Sequence, residues 1–222
     1  MRAMIRFGKQ ARLRFISHLD LQRYFQRALN RTGLPIAWTQ GFNPHPVLSF
    51  GSALALGWTS EYEIVDVKLQ VPMGRKRTEE AMRSALPEDL PVYETRMVED
   101  RHPAPMAQVA ASDYHIALPE AALPAFHGAL ARFEAAERLM ALRKTKSGER
   151  EIDIRPLAIA MRPEPDGLWA RLSLTEKDTL KPDLWLNALA GLAEVPVPAA
   201  RIHRLCLLGR GGDGTLKPLM EL

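Results

Sequence analysis

The chain has 222 residues, 46% of them hydrophobic, with 30 Lys and Arg against 26 Asp and Glu and a formal net charge of +4. That length predicts one large or two small domains, each able to bury a core. No run of about 18 uncharged apolar residues exists to span a membrane, and a single cysteine, Cys206, excludes a disulfide or a multi-cysteine metal or iron–sulfur centre within these residues.

The first fifteen residues carry Arg2, Arg6, Lys9, Arg12 and Arg14 and no long apolar stretch, so no secretory signal is expected and the cytoplasm is the expected compartment. Met4–Phe7 and Arg12–Ile16 read as strands, with Gly8, Lys9 and Gln10 turning between them. Ser17, with Asp20 three residues on, has the pattern of an N-cap opening a helix over roughly Leu19–Thr32. Leu21, Tyr24, Phe25, Ala28 and Leu29 make one buried stripe, and Arg23, Arg27 and Arg31 line another face. Gly33 and Pro35 end the helix. Ile36–Thr39 predicts a short strand before the turn Gly41-Phe42-Asn43-Pro44-His45-Pro46. Ser49–Leu56 is apolar and small, and Gly57 interrupts it.

Glu61–Val71 alternates as a strand, Thr78 caps a helix of about Glu79–Leu86, and Val92–Val98 closes the first half. Residues 99–112 have linker composition. The pattern then restarts: a strand at Tyr114–Leu118, a long helix at Pro124–Arg143, strands at Ile152–Met161 and Leu168–Leu174, a helix at Pro182–Leu192 and a strand at Ile202–Leu208. From Gly209 the chain reads as flexible.

The order strand, helix, strand, strand, helix, strand thus occurs twice. It predicts an α+β fold of two successive ferredoxin-like βαββαβ units, with antiparallel sheets and helices on one face. The expected organisation is a basic N-terminal domain over 1–98, a linker over 99–112, a C-terminal domain over 113–208 and a tail over 209–222. One irregular α+β domain is the alternative.

Charge is segregated. Residues 1–50 hold eight bases and one acid, Asp20, so the remainder is net negative. A segregated basic face meets a polyanion or an acidic partner. Arg23, Arg27 and Arg31 read either as phosphate-tracking forks or as a solvated helix face. Arg2, Arg6, Arg12 and Arg14 stand on neighbouring strands without nearby acids in the sequence, which favours the first reading. In the 41–46 turn Phe42 can stack, Asn43 can hydrogen-bond and His45 can exchange protons, while two prolines stiffen the backbone. A plain connecting loop is the bland reading.

His18 lies at the first turn of the helix, where the dipole favours a neutral imidazole. With His45 it could form a two-histidine nuclease centre, whereas a metal held by His18, Asp20 and His45 is disfavoured by the surrounding arginines. Lys144 and Lys146, in a basic loop before the strand that holds Arg155, read as a second anion contact or a polar connection. Cys206 reads as a buried, inert thiol. No Walker, Rossmann, nucleophile-elbow or zincin pattern is present.

The runs Leu13-Arg14-Phe15-Ile16-Ser17-His18-Leu19-Asp20, Gly41–Pro46 and Ser49–Gly57 resemble the bacterial radical SAM-linked protein family, long catalogued as a domain of unknown function. Lys144, Gly148 and Ile152–Leu157 resemble its second-half signature, and the resemblance spans about residues 2–208. Such proteins occur alone or as extensions of a radical SAM enzyme. This chain lacks the triple-cysteine cluster motif, so the resemblance implies the separate form, a radical SAM protein as partner in trans, and no cofactor here.

The expected function is an accessory or substrate-recognition subunit that binds RNA, such as tRNA or rRNA, through Arg12, Arg14, His18, Arg23, Arg27, Arg31, Phe42, Asn43, His45, Lys144, Lys146 and Arg155. The alternatives are a metal-independent ribonuclease using His18 or His45, and a protein–protein adaptor.

Overall fold

A computed structural model describes residues 1–145 and 148–222; Lys146 therefore lies outside the described residues. Among the described residues the chain builds a mostly antiparallel sheet and five helices. It divides into two units, Met1–Val109 with Cys206–Leu222 and Ala110–Leu205.

In the first unit, β1 (Arg2–Lys9), α1 (His18–Arg31), β2 (Leu48–Phe50), β3 (Thr59–Lys68), α2 (Arg75–Ala85) and β4 (Val92–Val98) follow in sequence. The strands lie in the order β4-β1-β3-β2, each pair antiparallel, with Ile5 opposite both Val65 and Thr95. Alternation sends Ile5, Phe7, Val65 and Val67 to one face, where they meet Leu21, Phe25 and Leu29 of α1 and Met82 of α2. Phe7 and Phe25 touch with ring centroids 4.7 Å apart. Truncating fully buried Phe25 to alanine would cost about 3–5 kcal/mol.

Several elements differ from the sequence reading. The strand expected over Arg12–Ile16 is a 3-10 turn, Ala11–Phe15. Its cause is Lys9, whose buried ammonium donates to the carbonyls of Arg14 (3.4 Å) and Ile16 (2.9 Å) and curls the chain over itself. Ile36–Thr39 forms only single bridges, Ile36 to Leu69 and Trp38 to Pro46, because Pro35, Pro44 and Pro46 supply no amide for a longer ladder. The Ser49–Leu56 segment is extended only over β2. α2 starts a turn early at Gly74, with Thr78 buried inside it and donating to the Gly74 carbonyl. The 99–112 segment contains a short helix, α3 (Pro105–Gln108), and runs into β5 (Val109–Ala117).

The second unit continues with α4 (Leu123–Ala135), β6 (Met140–Thr145), β7 (Gly148–Asp153), β8 (Ala158–Glu164), β9 (Gly167–Ser173), α5 (Pro182–Ala193) and the first half of β10 (Arg201–Arg210). Its strand order is β10-β5-β9-β8, and β6 pairs with β7 in a separate hairpin. Phe126, Phe133, Trp185 and Leu189 are fully buried, with Phe133 edge-on to Trp185. The helix expected over Pro124–Arg143 therefore stops at Ala135. The hairpin takes its end, closed by Leu139 N–H to Asp153 and Ile154 N–H to the Leu139 carbonyl. The strand expected over Ile152–Met161 is broken by a 3-10 turn, Arg155–Leu157, around Pro156.

β10 crosses into the first unit at Cys206 and pairs there with β11 (Leu216–Pro218). Residues 209–222, expected as a flexible tail, are thus tied down. Leu219 and Met220 are buried, and the Arg96 guanidinium donates to the carbonyls of Met220 (3.1 Å) and Leu222 (3.0 Å). Gly209 is required there, since a Cβ would stand 2.7 Å from the Gln108 carbonyl oxygen.

Candidate nucleic-acid interface

α1 buries Leu21, Phe25, Ala28 and Leu29 and so leaves Arg23, Gln26, Arg27 and Asn30 on its outer side. Ser17 starts the helix by accepting the Asp20 amide (3.1 Å) and donating its hydroxyl to the Asp20 carboxylate (2.6 Å). After Pro35 the chain doubles back. Thr39 N–H donates to the His45 carbonyl (2.9 Å), His45 N–H to the Thr39 hydroxyl (3.1 Å), and Val47 N–H to the Ala37 carbonyl (2.8 Å). This closure sets the 39–46 turn beside α1.

Between them lies a cleft of about 250 Å³, lined by Arg23, Gln26, Arg27, Asn30, Trp38 and His45 with Pro44 and Pro46. Trp38 is exposed, and Phe42, on the tip of the same turn, is completely so. Asn43 is exposed beside it. This helix-and-turn surface therefore offers two cationic forks, three amide side chains, an imidazole and two aromatic rings. Gln26, Asn30 and Trp38 are absent from the sequence reading. The first two share the 23/27 stripe at helical spacing, so the spacing could have found them; Trp38 needs the turn's pairing.

The expected site residues divide by what they touch. Arg23 meets only exposed Asp20, at 3.4 Å, an ion pair too solvated to hold it. Arg27 lies 5.9 Å from the Tyr24 ring centroid. Arg31 turns away and donates to the carbonyls of Arg27 (3.1 Å) and Ala85 (2.9 Å), fastening α1 to the end of α2. Arg12 pairs with Asp89 at 2.8 Å, and Arg14 stacks on Phe15. The strand arginines do have intrachain partners: Arg2 binds Asp66 at 2.6 Å, while Arg6 sits 5.0 Å from the ring centroids of both Tyr62 and Tyr93, with Glu94 at 3.6 Å. In the second unit Lys144 is exposed opposite Glu149, and Arg155 covers the Phe133 ring and donates to the Glu134 carbonyl (3.0 Å).

The two histidines have separate surroundings. His18 packs edge-on against Phe50 at 5.1 Å, and burial lowers its pKa, with Glu63 opposing and Lys9 adding to the shift. Lys9 is itself lowered by burial, against the pull of Glu63. His45 lines the cleft, with Nδ1 3.2 Å from the Pro46 carbonyl. Among the described residues no group of three or more His, Cys, Asp and Glu side chains is placed to hold a metal ion.

Residues 2–182 match the model of a family described as an uncharacterized protein conserved in bacteria, DUF2344. The chain belongs to that family. The DUF2344 match includes α1, the 39–46 turn and the β6–β7 hairpin, and ends where α5 begins. No curated protein matches the chain.

Proposed function

We propose that this DUF2344 protein is a non-catalytic, cytoplasmic RNA-binding subunit that presents its substrate to a radical SAM enzyme acting in trans. The observation that carries RNA binding is the cleft that sets Arg23 and Arg27 beside Trp38 and His45, with Phe42 exposed on the tip of the same turn. Guanidinium forks on phosphates fix the strand, and exposed rings take unstacked bases; together these are the parts of a single-strand RNA platform. An exposed Phe42 contributes little to folding, so its presence on a stiffened turn favours a role in contact. The radical SAM partner rests on the resemblance of the Leu13–Asp20, Gly41–Pro46 and Ser49–Gly57 runs alone. The strand order and paired helices of each unit support reading both as ferredoxin-like, the second with a hairpin inserted after its first helix.

The test is fluorescence anisotropy of labelled bulk tRNA with the full chain in EDTA. Replacing Trp38 and Phe42 together by alanine should weaken binding at least about tenfold, since each stack is worth about 1–3 kcal/mol. Unchanged affinity would contradict the platform. Cleavage of the tRNA by wild type, lost in His45→Ala or His18→Ala, would replace it with the ribonuclease reading.

A further inference from the structure

The second unit carries a groove that the RNA reading does not use. Two cavities of about 460 and 480 Å³ share Leu142, Leu184 and Asn187, so they are one trough between β6 and α5. Its β6 wall is the unbroken run from residue 139 to 144. A strand seen from its face would contribute alternate residues only, so the trough views β6 edge-on. Its α5 wall is Leu184, Asn187, Ala188 and Gly191, one stripe at helical spacing.

The β6 edge has a defined hydrogen-bonding capacity. Ile154 N–H donates to the Leu139 carbonyl, which makes Leu139–Ile154, Ala141–Ile152 and Arg143–Arg150 the hydrogen-bonded pairs of the hairpin. The amides and carbonyls of Met140, Leu142 and Lys144 therefore point the other way, along the outer edge. Met140 and Leu142 are also exposed large apolar side chains. Such an edge is a template for another strand. Small Ala188 and Gly191 leave room for that strand's side chains, and a Cβ on Gly191 would meet nothing within 4 Å.

Charge fixes the polarity of the occupant. Arg143, Lys144 and Lys181 line one end against a single acid, Asp183, and α5 begins there, so its positive dipole end adds to the three cations. The other end is apolar, with Leu139, Met140 and Leu192.

We propose that the β6–α5 groove binds an extended peptide segment of a partner protein as an added antiparallel strand, acidic at its N-terminal end and apolar beyond. Antiparallel pairing places the peptide's N-terminus opposite Lys144, at the cationic end. Backbone bonds to residues 140, 142 and 144 give affinity, and the α5 stripe selects side chains. This inference is independent of RNA binding by the first unit.

The probe is a C-terminally labelled heptapeptide, Glu-Glu-Val-Thr-Val-Thr-Val, titrated with the full chain by anisotropy. Leu142→Pro removes one outward amide while sparing the hairpin ladder, and proline is tolerated on an edge. Gly191→Leu fills the trough from the helix side. Each should weaken binding about tenfold at unchanged melting temperature, the worth of one lost backbone bond or a blocked pocket. A peptide beginning Lys-Lys should bind more weakly than the Glu-Glu form. The proposal is overturned if wild type does not bind the peptide, if both variants bind it like wild type, or if the Lys-Lys form binds as well. It is also overturned if Gly191→Leu lowers affinity for tRNA and not for the peptide, which would make the groove an RNA site.

Discussion

Phe42, Arg31 and Asp66 show three different fates for a side chain. Phe42 is exposed, and Phe42→Ala should leave the denaturation midpoint unchanged while weakening tRNA binding about tenfold. Arg31 belongs to the same stripe as Arg23 and Arg27, yet its bonds go to backbone carbonyls. Arg31→Ala should therefore cost roughly 1 kcal/mol of stability and little RNA affinity, with the opposite pattern for Arg23→Ala; equal effects on binding would contradict this division. Asp66 is buried against Arg2, and burial raises its pKa from 3.8 to about 6 despite the guanidinium. The native state thus holds this proton more tightly than the unfolded chain. Its contribution to stability is complete below about pH 4 and is lost as pH rises through about 6. Urea midpoints measured across that window should fall with rising pH in wild type and lose this component in Asp66→Asn. A wild-type slope retained in the variant would assign it to other groups. The sequence shows the Arg23/Arg27 stripe because it is local. It hides the partners of Arg2 and Arg6, because Asp66, Tyr62 and Glu94 arrive from strands distant in the chain.

At the scale of elements, legibility followed locality in the same way. α1 carries its cap, its stripe and its stop in one short stretch of chain, and β4 spans the Val92–Val98 read from the sequence. The β6–β7 hairpin was hidden because Phe126, Leu130, Phe133 and Met140 fall near helical spacing, and only the pairing with Gly148–Asp153 ends the helix at Ala135. The Ala11–Phe15 turn depends on a lysine buried beneath it, which no local rule anticipates. The glycine-rich start of the C-terminal segment masks Leu219 and Met220, whose burial decides its fate. Deleting residues 216–222 should therefore cost at least about 2 kcal/mol by chemical denaturation, from those two side chains alone. A truncated chain as stable as the full one would restore the flexible-tail reading.

Across the whole molecule, basic charge is concentrated in the first fifty residues, and folding removes part of it from use. Arg2, Arg6 and Arg31 serve the fold, while Arg23 and Arg27 stand at the cleft with Trp38 and His45. A mix of strands and helices was legible, whereas the return of Cys206–Leu222 to the first unit was not, because β10 reads locally as one uninterrupted strand. The claim that the two cleft arginines bind RNA phosphates has a direct test in the salt dependence of tRNA binding. In a plot of log affinity against log salt, the Arg23→Glu/Arg27→Glu chain should show a slope shallower by about 0.7 for each lost single-strand phosphate contact, with its melting temperature unchanged. An unaltered slope and affinity in that variant would contradict the account and leave α1 a solvated helix face.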